Sequence, residues 1–508
     1  MAEEQYDIII IGSGIGGLAS SVILSKHGYK VLVLEKNHQI GGALQVFSRD
    51  KCVFDTGVHY IGGLDKGQNL YRMFKYLGIY DRLKLRSLDR EGFDRIRMPN
   101  GEIYQHGQGY ANFIQGLVNS FPKEETAIRA FCAKIKEVCD FFPLYNLEID
   151  QSTSYYNSPE ILSIGAWDYI SNLTENELLR NVLLGSGALY AGDAKSTPLY
   201  VVALIMNSYI NGSYRLVDGG SQIARELTKE LRSHGGKILK HKEVVSAIYT
   251  DDSSIECVIC SDGSSYRAKH FISNMHPAET IRIFGDSRFR PAFRERIKKL
   301  KNTVSSFMMY ASLKEDSFPY FNYNMYDFFV DDTWQIVDYD RSTWPQMIYL
   351  CTPASSKSET HAESICLMTY MSMDEVREWE NTFNTISNPS DRAEAYDTFK
   401  REKEEQILVK LEQRYPGIRA CIKNTYSSTP LTYKDYLATP EGSLYGIMKD
   451  FNNPVGTIVN TKTRIPNLYL TGQNIIFHGI LGATIGAFVT CFNFIDYDKT
   501  VGEINTFE

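Results

Sequence analysis

The chain opens on an unbroken apolar run, Tyr6 to Ile11 (YDIIII), the pattern of a parallel strand buried on both faces. Glycine-rich GSGIGG follows, then a helical stretch to Lys26 with Leu18, Val22 and Leu24 among its apolar positions, ended by Gly28. Lys30 to Glu35 (KVLVLE) reads as a second strand. Strand, glycine turn, helix and strand within about thirty residues make a compact α/β unit.

From about residue 70 to 210 the pattern is mostly helical and rich in aromatic residues. Alternation returns between 215 and 285. Gly219 and Gly220 precede a helix (SQIARELTKELRSHGG), and Asp262-Gly263 marks a hairpin between strand-like runs. Residues 303 to 372 alternate as strands, with MMYASL, YLCTP and ICLMTYM as their cores. A helix is predicted from a cap near Asp391, with Glu394 completing a capping box, to Arg414 before Pro416-Gly417. The last unit is NLYLTG, a strand entering a glycine loop, and a helix from about Leu481. No repeat or low-complexity segment interrupts this order.

Length then bounds the architecture: 508 residues exceed one simple core, so two or three sub-domains are expected. The net charge of -7, with no basic run, argues against a nucleic-acid partner. The start MAEEQYDIIIIG lacks the basic region and cleavage site of a secretory signal. Apolar runs such as Leu199 to Met206 fall short of the ~20 residues that span a bilayer. A cytoplasmic location is therefore expected, with peripheral contact to a membrane left open although no amphipathic anchor is evident. Nine scattered cysteines suit free thiols in a reducing compartment. Cys257 and Cys260 spell C-x-x-C inside a strand-like run, where residues three apart face opposite ways, and no second pair completes a metal site. No metal is expected.

Gly12, Gly14 and Gly17 form G-x-G-x-x-G between strand and helix. Gly12 permits the tight turn, Gly14 lets a pyrophosphate approach the backbone, and Gly17 allows close helix packing. The pyrophosphate would sit on the amides of the helix N-terminus. Glu35 stands about twenty residues after Gly14, where a carboxylate accepts ribose hydroxyls. Three features favour FAD over NAD. The motif begins at the twelfth residue, and a second doublet, Gly41-Gly42, follows Glu35. NLYLTGQN…HGILGA offers a further strand, loop and helix N-terminus for the ring end of an extended cofactor. Finally, LLGSGALYAG at 183 to 192 imitates a second nucleotide motif, but no acid closes a strand after it.

GSGIGGLAS, LEKN…GGAL and FDTGVHYIGG resemble the flavoprotein superfamily of phytoene desaturases, carotenoid isomerases and amine oxidases. FDTGVHYIG at 54 to 62, STPLTYKDYLATPEGSLYGI at 428 to 447 and IPNLYLTGQNIIFHGILGA resemble its retinol saturase branch. The likeness touches both ends and YRLVDGGSQIARELTKEL in the middle; the region 303 to 410 carries no matching motif. The resemblance implies a discontinuous Rossmann-type FAD domain from about 1–70, 212–290 and 455–508, with a mixed α+β substrate domain from 71–211 and 291–454. It places cofactor contacts at Gly12, Gly14, Ile15, Gly16, Gly17, Glu35, Lys36, Gly42 and Ala43. It adds the Val245 backbone at the adenine, and Gly472 with the Leu481–Gly482 turn near the pyrophosphate and ring. Many relatives carry Arg after the glycine doublet where this chain has Ala43, so no cationic contact is expected there.

The resemblance implies an oxidoreductase acting on a C=C bond of a hydrophobic isoprenoid or polyene. Saturation needs a hydride on one carbon and a proton on the other, hence a donor within hydrogen-bond reach. His59, Tyr60 and Tyr445 are the candidate donors. The alternatives are a desaturase or cis–trans isomerase, an amine oxidase, and a non-catalytic lipid escort, against which the intact Gly12, Gly14, Gly17 and Glu35 argue. With no convincing nicotinamide domain, electrons are expected from, or to, a separate partner.

Overall fold

The computed structural model describes residues 5–250, 253–390 and 392–508. One sheet is built from three distant stretches of chain. Its order is Lys237–Leu239, Val31–Leu34, Tyr6–Ile11, Ser265–Ser273, Ile255–Cys260, Val244–Tyr249, with Leu468–Leu470 also paired to Ser265–Ser273. The strand Ser265–Ser273 serves two sheets' worth of neighbours. Its first residues pair antiparallel with Ile255–Cys260 through the expected Asp262-Gly263 hairpin. From Ala268 onward it runs parallel to Tyr6–Ile11 on one side, and from Phe271 onward to Leu468–Leu470 on the other. The parallel strands are buried on both faces, with Ile8, Ile9, Ile10, Leu32, Val33, Phe271 and Ile272 fully enclosed, which is why they read as continuous apolar runs.

The second sheet runs Ile422–Ser428, Ser305–Leu313, Ser364–Met371, Met347–Cys351, Asn324–Phe328, Asp94–Arg97, Ile103–His106. It is antiparallel except where Asn324–Phe328 meets Asp94–Arg97. Period-two alternation divides its side chains. Phe307, Met309, Ile348, Leu350, Ile365 and Leu367 share one core with Ile407 and Leu411 of the helix Ala393–Arg414. Met308, Tyr310, Tyr326, Tyr349, Met368 and Tyr370 belong to the opposite core, toward the first sheet. The cap expected near Asp391 lies outside the described residues.

Helices Tyr110–Ser120, Glu125–Cys139 and Leu199–Asn211 pack in the intervening region. The stretch 70–210 is less purely helical than its pattern indicates, since it also holds Leu85–Ser87, Asp94–Arg97 and Ile103–His106. These strands are three or four residues long, too short to show alternation, and long-range pairing decides their state. Cys257 and Cys260 are both buried free thiols. Among the described residues no helix is long and apolar enough to cross a membrane.

Candidate flavin and substrate site

The turn after Tyr6–Ile11 is shaped by what its glycines lack. Gly12 holds φ +95°, a left-handed backbone that side chains rarely adopt. A Cβ on Gly17 would collide with the Gly12 carbonyl oxygen, and one on Gly16 would lie 2.7 Å from the Gly472 Cα. The two glycine loops therefore interlock, which brings the N-terminus of the helix Ile15–Lys26 and Ala483 of the helix Gly479–Cys491 to one cleft. Gly12, Gly14, Ile15, Gly16, Glu35, Lys36, Gly42, Ala43 and Gly472 all line that cleft. Gly17 instead packs inside the turn.

Glu35 is buried at the end of its strand. Its carboxylate accepts the Ser13 N–H (2.9 Å) and hydroxyl on one oxygen and the Asn37 N–H (2.8 Å) on the other. Fixed in this way, it presents its remaining lone pairs where ribose hydroxyls would arrive. Lys36 donates to the Asp435 carbonyl (2.8 Å), and burial lowers the pKa of its ammonium. At the expected adenine contact the lining residue is Val244; Val245 is 39% exposed and lies outside the lining. Neighbouring strand residues face opposite ways, and the strand is irregular between Val244 and Ser246.

The cleft continues into a chamber, with Ile15, Ala43, Gln473 and Ala483 bordering both. Val58, Met308, Met368, Leu444 and the rings of Tyr209, Tyr326, Tyr349 and Tyr433 wall this chamber. All three expected donors line it: His59, Tyr60 and Tyr445. Their protons are held differently. Tyr445 donates its hydroxyl to the Ala188 carbonyl (2.8 Å). Tyr60 donates to Asp94 (2.9 Å) and contacts the Tyr326 hydroxyl (2.7 Å). Burial raises the Asp94 carboxyl to about 7, despite hydrogen bonds from Asn324 and Tyr60 and the nearby Arg215 charge.

His59 is different, keeping part of its surface open in the chamber it lines. Burial alone would lower its pKa. A hydrogen bond with Cys351 and the charges of Cys351 and Asp55 outweigh that, raising it above the usual histidine value. Burial likewise pushes the Cys351 thiol up. Hydrogen bonds with Cys366 and His59, and the charges of His59 and Arg215, hold it well below the usual thiol range. Cys351 and Cys366 sit directly opposite each other on adjacent strands. His59, Cys351 and Cys366 bring their donor atoms within 4.8 Å of one another, a set whose chemistry suits a thiophilic ion although no metal was expected. The buried guanidinium of Arg215 beside it opposes a dication; it favours negative charge on Cys351 and works against positive charge on His59.

Leu481 and Gly482 border an adjoining apolar cavity, while Ile480 and Ala483 reach the chamber. Helical geometry explains the split, because residues three apart share a face and their neighbours turn away. Three residues escaped the sequence reading. Asn274, just beyond Ser265–Ser273, donates its N–H to the Ile11 carbonyl (2.9 Å) and wedges its side chain between the glycine loops. Cys351 and Cys366 looked like core thiols. The signal available for Asn274 was a polar residue closing an apolar strand in HFISN.

The glycine cradle, the helix N-terminus and the buried acid fit a dinucleotide, and the chamber beyond fits the ring end of a flavin. The sequence model of the family described as flavin containing amine oxidoreductase matches residues 15–396, and the chain belongs to that family. It is 27% identical to the all-trans-retinol 13,14-reductase of Danio rerio, over 96% of this chain and 85% of that protein. It is also 27% identical to prolycopene isomerase 1 of an Oncidium hybrid cultivar, over 93% of this chain and 80% of that one. Among solved structures, an oxidoreductase from Methanosarcina mazei superposes with a TM-score of 0.63 at 15% identity, covering 96% of this chain and 99% of that chain. The protein is a flavin-dependent oxidoreductase of mixed α/β fold, and its cofactor is FAD.

Proposed function

We propose that the chain saturates one double bond of a long, conjugated, apolar isoprenoid or polyene. The observation that carries this reading is the chamber next to the dinucleotide cleft: aromatic and apolar walls with one histidine at its surface whose pKa Cys351 and Asp55 raise. FAD, when bound, supplies the hydride chemistry. The chain's own residues do the rest. Tyr209, Tyr326, Tyr349, Met308 and Met368 exclude water and bury the polyene, worth about 25 cal/mol per Å² of apolar surface. His59 supplies the proton that the second carbon requires, and Cys351 beside it raises the pKa of the imidazole. Tyr60 and Tyr445 position the chamber wall, since their protons are engaged by Asp94 and Ala188. The similarity to a retinol reductase over 96% of the chain supports a reductive direction. Electrons reach the flavin from a separate donor.

The test is anaerobic incubation of the reduced holoenzyme with a polyene panel, followed by product mass. A gain of two hydrogens is expected. His59→Phe should leave FAD bound and reducible while product formation falls roughly 10²-fold or more. Full activity in that variant removes His59 from the mechanism. The likeness to a prolycopene isomerase favours one competing outcome, a product of unchanged mass, which would move the assignment to isomerisation.

A further inference from the structure

Beyond the chamber lies an apolar cavity that shares Leu189, Tyr209, Gly479 and Ile480 with it. Val201, Leu204, Ile205, Ile476, Phe477 and Ile485 wall this arm, yet Lys449 and His478 line it too. Lys449 is 7% exposed. Its ammonium donates to the carbonyls of Thr457 (2.9 Å) and Ile475 (3.4 Å), both neutral acceptors. An ammonium has three N–H donors, so one remains. No ion pair to Lys449 exists among the described residues; the charged group acting on it is Arg296, also a cation, whose guanidinium binds the carbonyls of Gly456 and Ile458. His478 Nε2 is buried without a hydrogen-bond partner. Burial and the Lys449 charge keep that imidazole neutral, with a pKa near 4.

A buried cation without a counter-ion is unfavourable: burial and the Arg296 charge lower the Lys449 pKa to about 7, and an anion that reaches the amine stabilises its ammonium form. The walls that lead to Lys449 are mostly apolar, with Tyr145, Ser208 and Tyr209 as their polar members. We infer that this arm receives the far end of the substrate, and that Lys449 binds a carboxylate carried on that end. This rests on the polyene reading above and narrows it to apolar chains with an acidic terminus. An alcohol or ester would occupy the same arm and accept the remaining hydrogen bond, but would leave the charge uncompensated. Arg296 adds to the positive potential, and the orphaned Nε2 of neutral His478 offers a further polar contact.

The holoenzyme is titrated with cis-parinaric acid, a fluorescent conjugated tetraene acid, and in parallel with its methyl ester. A hydrogen bond to a charged acceptor is stronger than one to a neutral ester, so the acid should bind roughly tenfold more tightly than the ester. Lys449→Met should remove that difference by weakening the acid far more than the ester, which loses only a hydrogen bond to a neutral acceptor. Equal affinity of acid and ester for the unaltered protein overturns the inference and leaves the polyene reading standing. Failure of both probes to bind overturns the two together. Because the acid–ester comparison needs no variant, it decides the matter even if Lys449→Met does not fold.

Discussion

A histidine at the wall of an apolar chamber would ordinarily be neutral, because burial penalises its charged form. His106 follows that rule: burial depresses its pKa to about 4. His59 reverses it because Cys351 and Asp55 face it with negative charge. If protonated His59 donates in catalysis, activity should fall as pH rises through its raised pKa. Cys351→Ser replaces the thiolate with a neutral hydroxyl, which lowers that pKa and moves the alkaline limb of kcat/KM to lower pH. Flavin content should not change. A limb that stays in place would assign it to another group. At this scale the sequence made His59 visible, since its loop carries a recognisable motif. Cys351 was not, because its role exists only through a partner that lies far away along the chain. Asn274 was missed for the same reason: its work between two glycine loops depends on a contact with Gly472.

Elements were legible where burial made their pattern continuous. Ser305–Leu313 and Ser364–Met371 are enclosed along their whole length, so their apolar runs announced them. The pattern could not say which face of each strand would meet the chamber. Ser364–Met371 shows the consequence, because Leu367 and Met368 are adjacent but belong to different cores. Leu367 packs fully buried against the helix side. Leu367→Ala should destabilise the fold by about 2–5 kcal/mol in chemical denaturation, through lost burial and a residual cavity. Met368 borders the chamber, where open space already adjoins it. Met368→Ala should therefore disturb stability less and shift preference toward bulkier polyenes in competition assays. Equal loss of stability with unchanged selectivity would show that Met368 is core alone.

At the scale of the molecule, the cofactor cleft is a junction of distant chain segments rather than a local pocket. Gly12, Glu35 and Gly42 come from the first stretch, Val244 and Asn274 from the middle, and Gly472 and Ala483 from the last. The same separation governs the sheet, where Ser265–Ser273 joins Tyr6–Ile11 to Leu468–Leu470. A ligand seated at such a junction binds only when all these stretches are folded together. FAD should consequently stabilise the whole protein by RT ln(1 + [FAD]/Kd), about 2.7 kcal/mol at a hundredfold excess over Kd. Thermal unfolding of flavin-free protein, followed by intrinsic fluorescence, should show Tm rising with added FAD. Gly14→Val is the matched control. Its Cβ position lies 2.9 Å from the Asn274 side-chain nitrogen, on the line by which a pyrophosphate approaches the backbone. That variant should be colourless, with a Tm independent of FAD. A wild-type Tm that ignores FAD would mean that the cleft holds no cofactor strongly enough to report on folding. A Gly14→Val protein that keeps the full shift would place the pyrophosphate elsewhere.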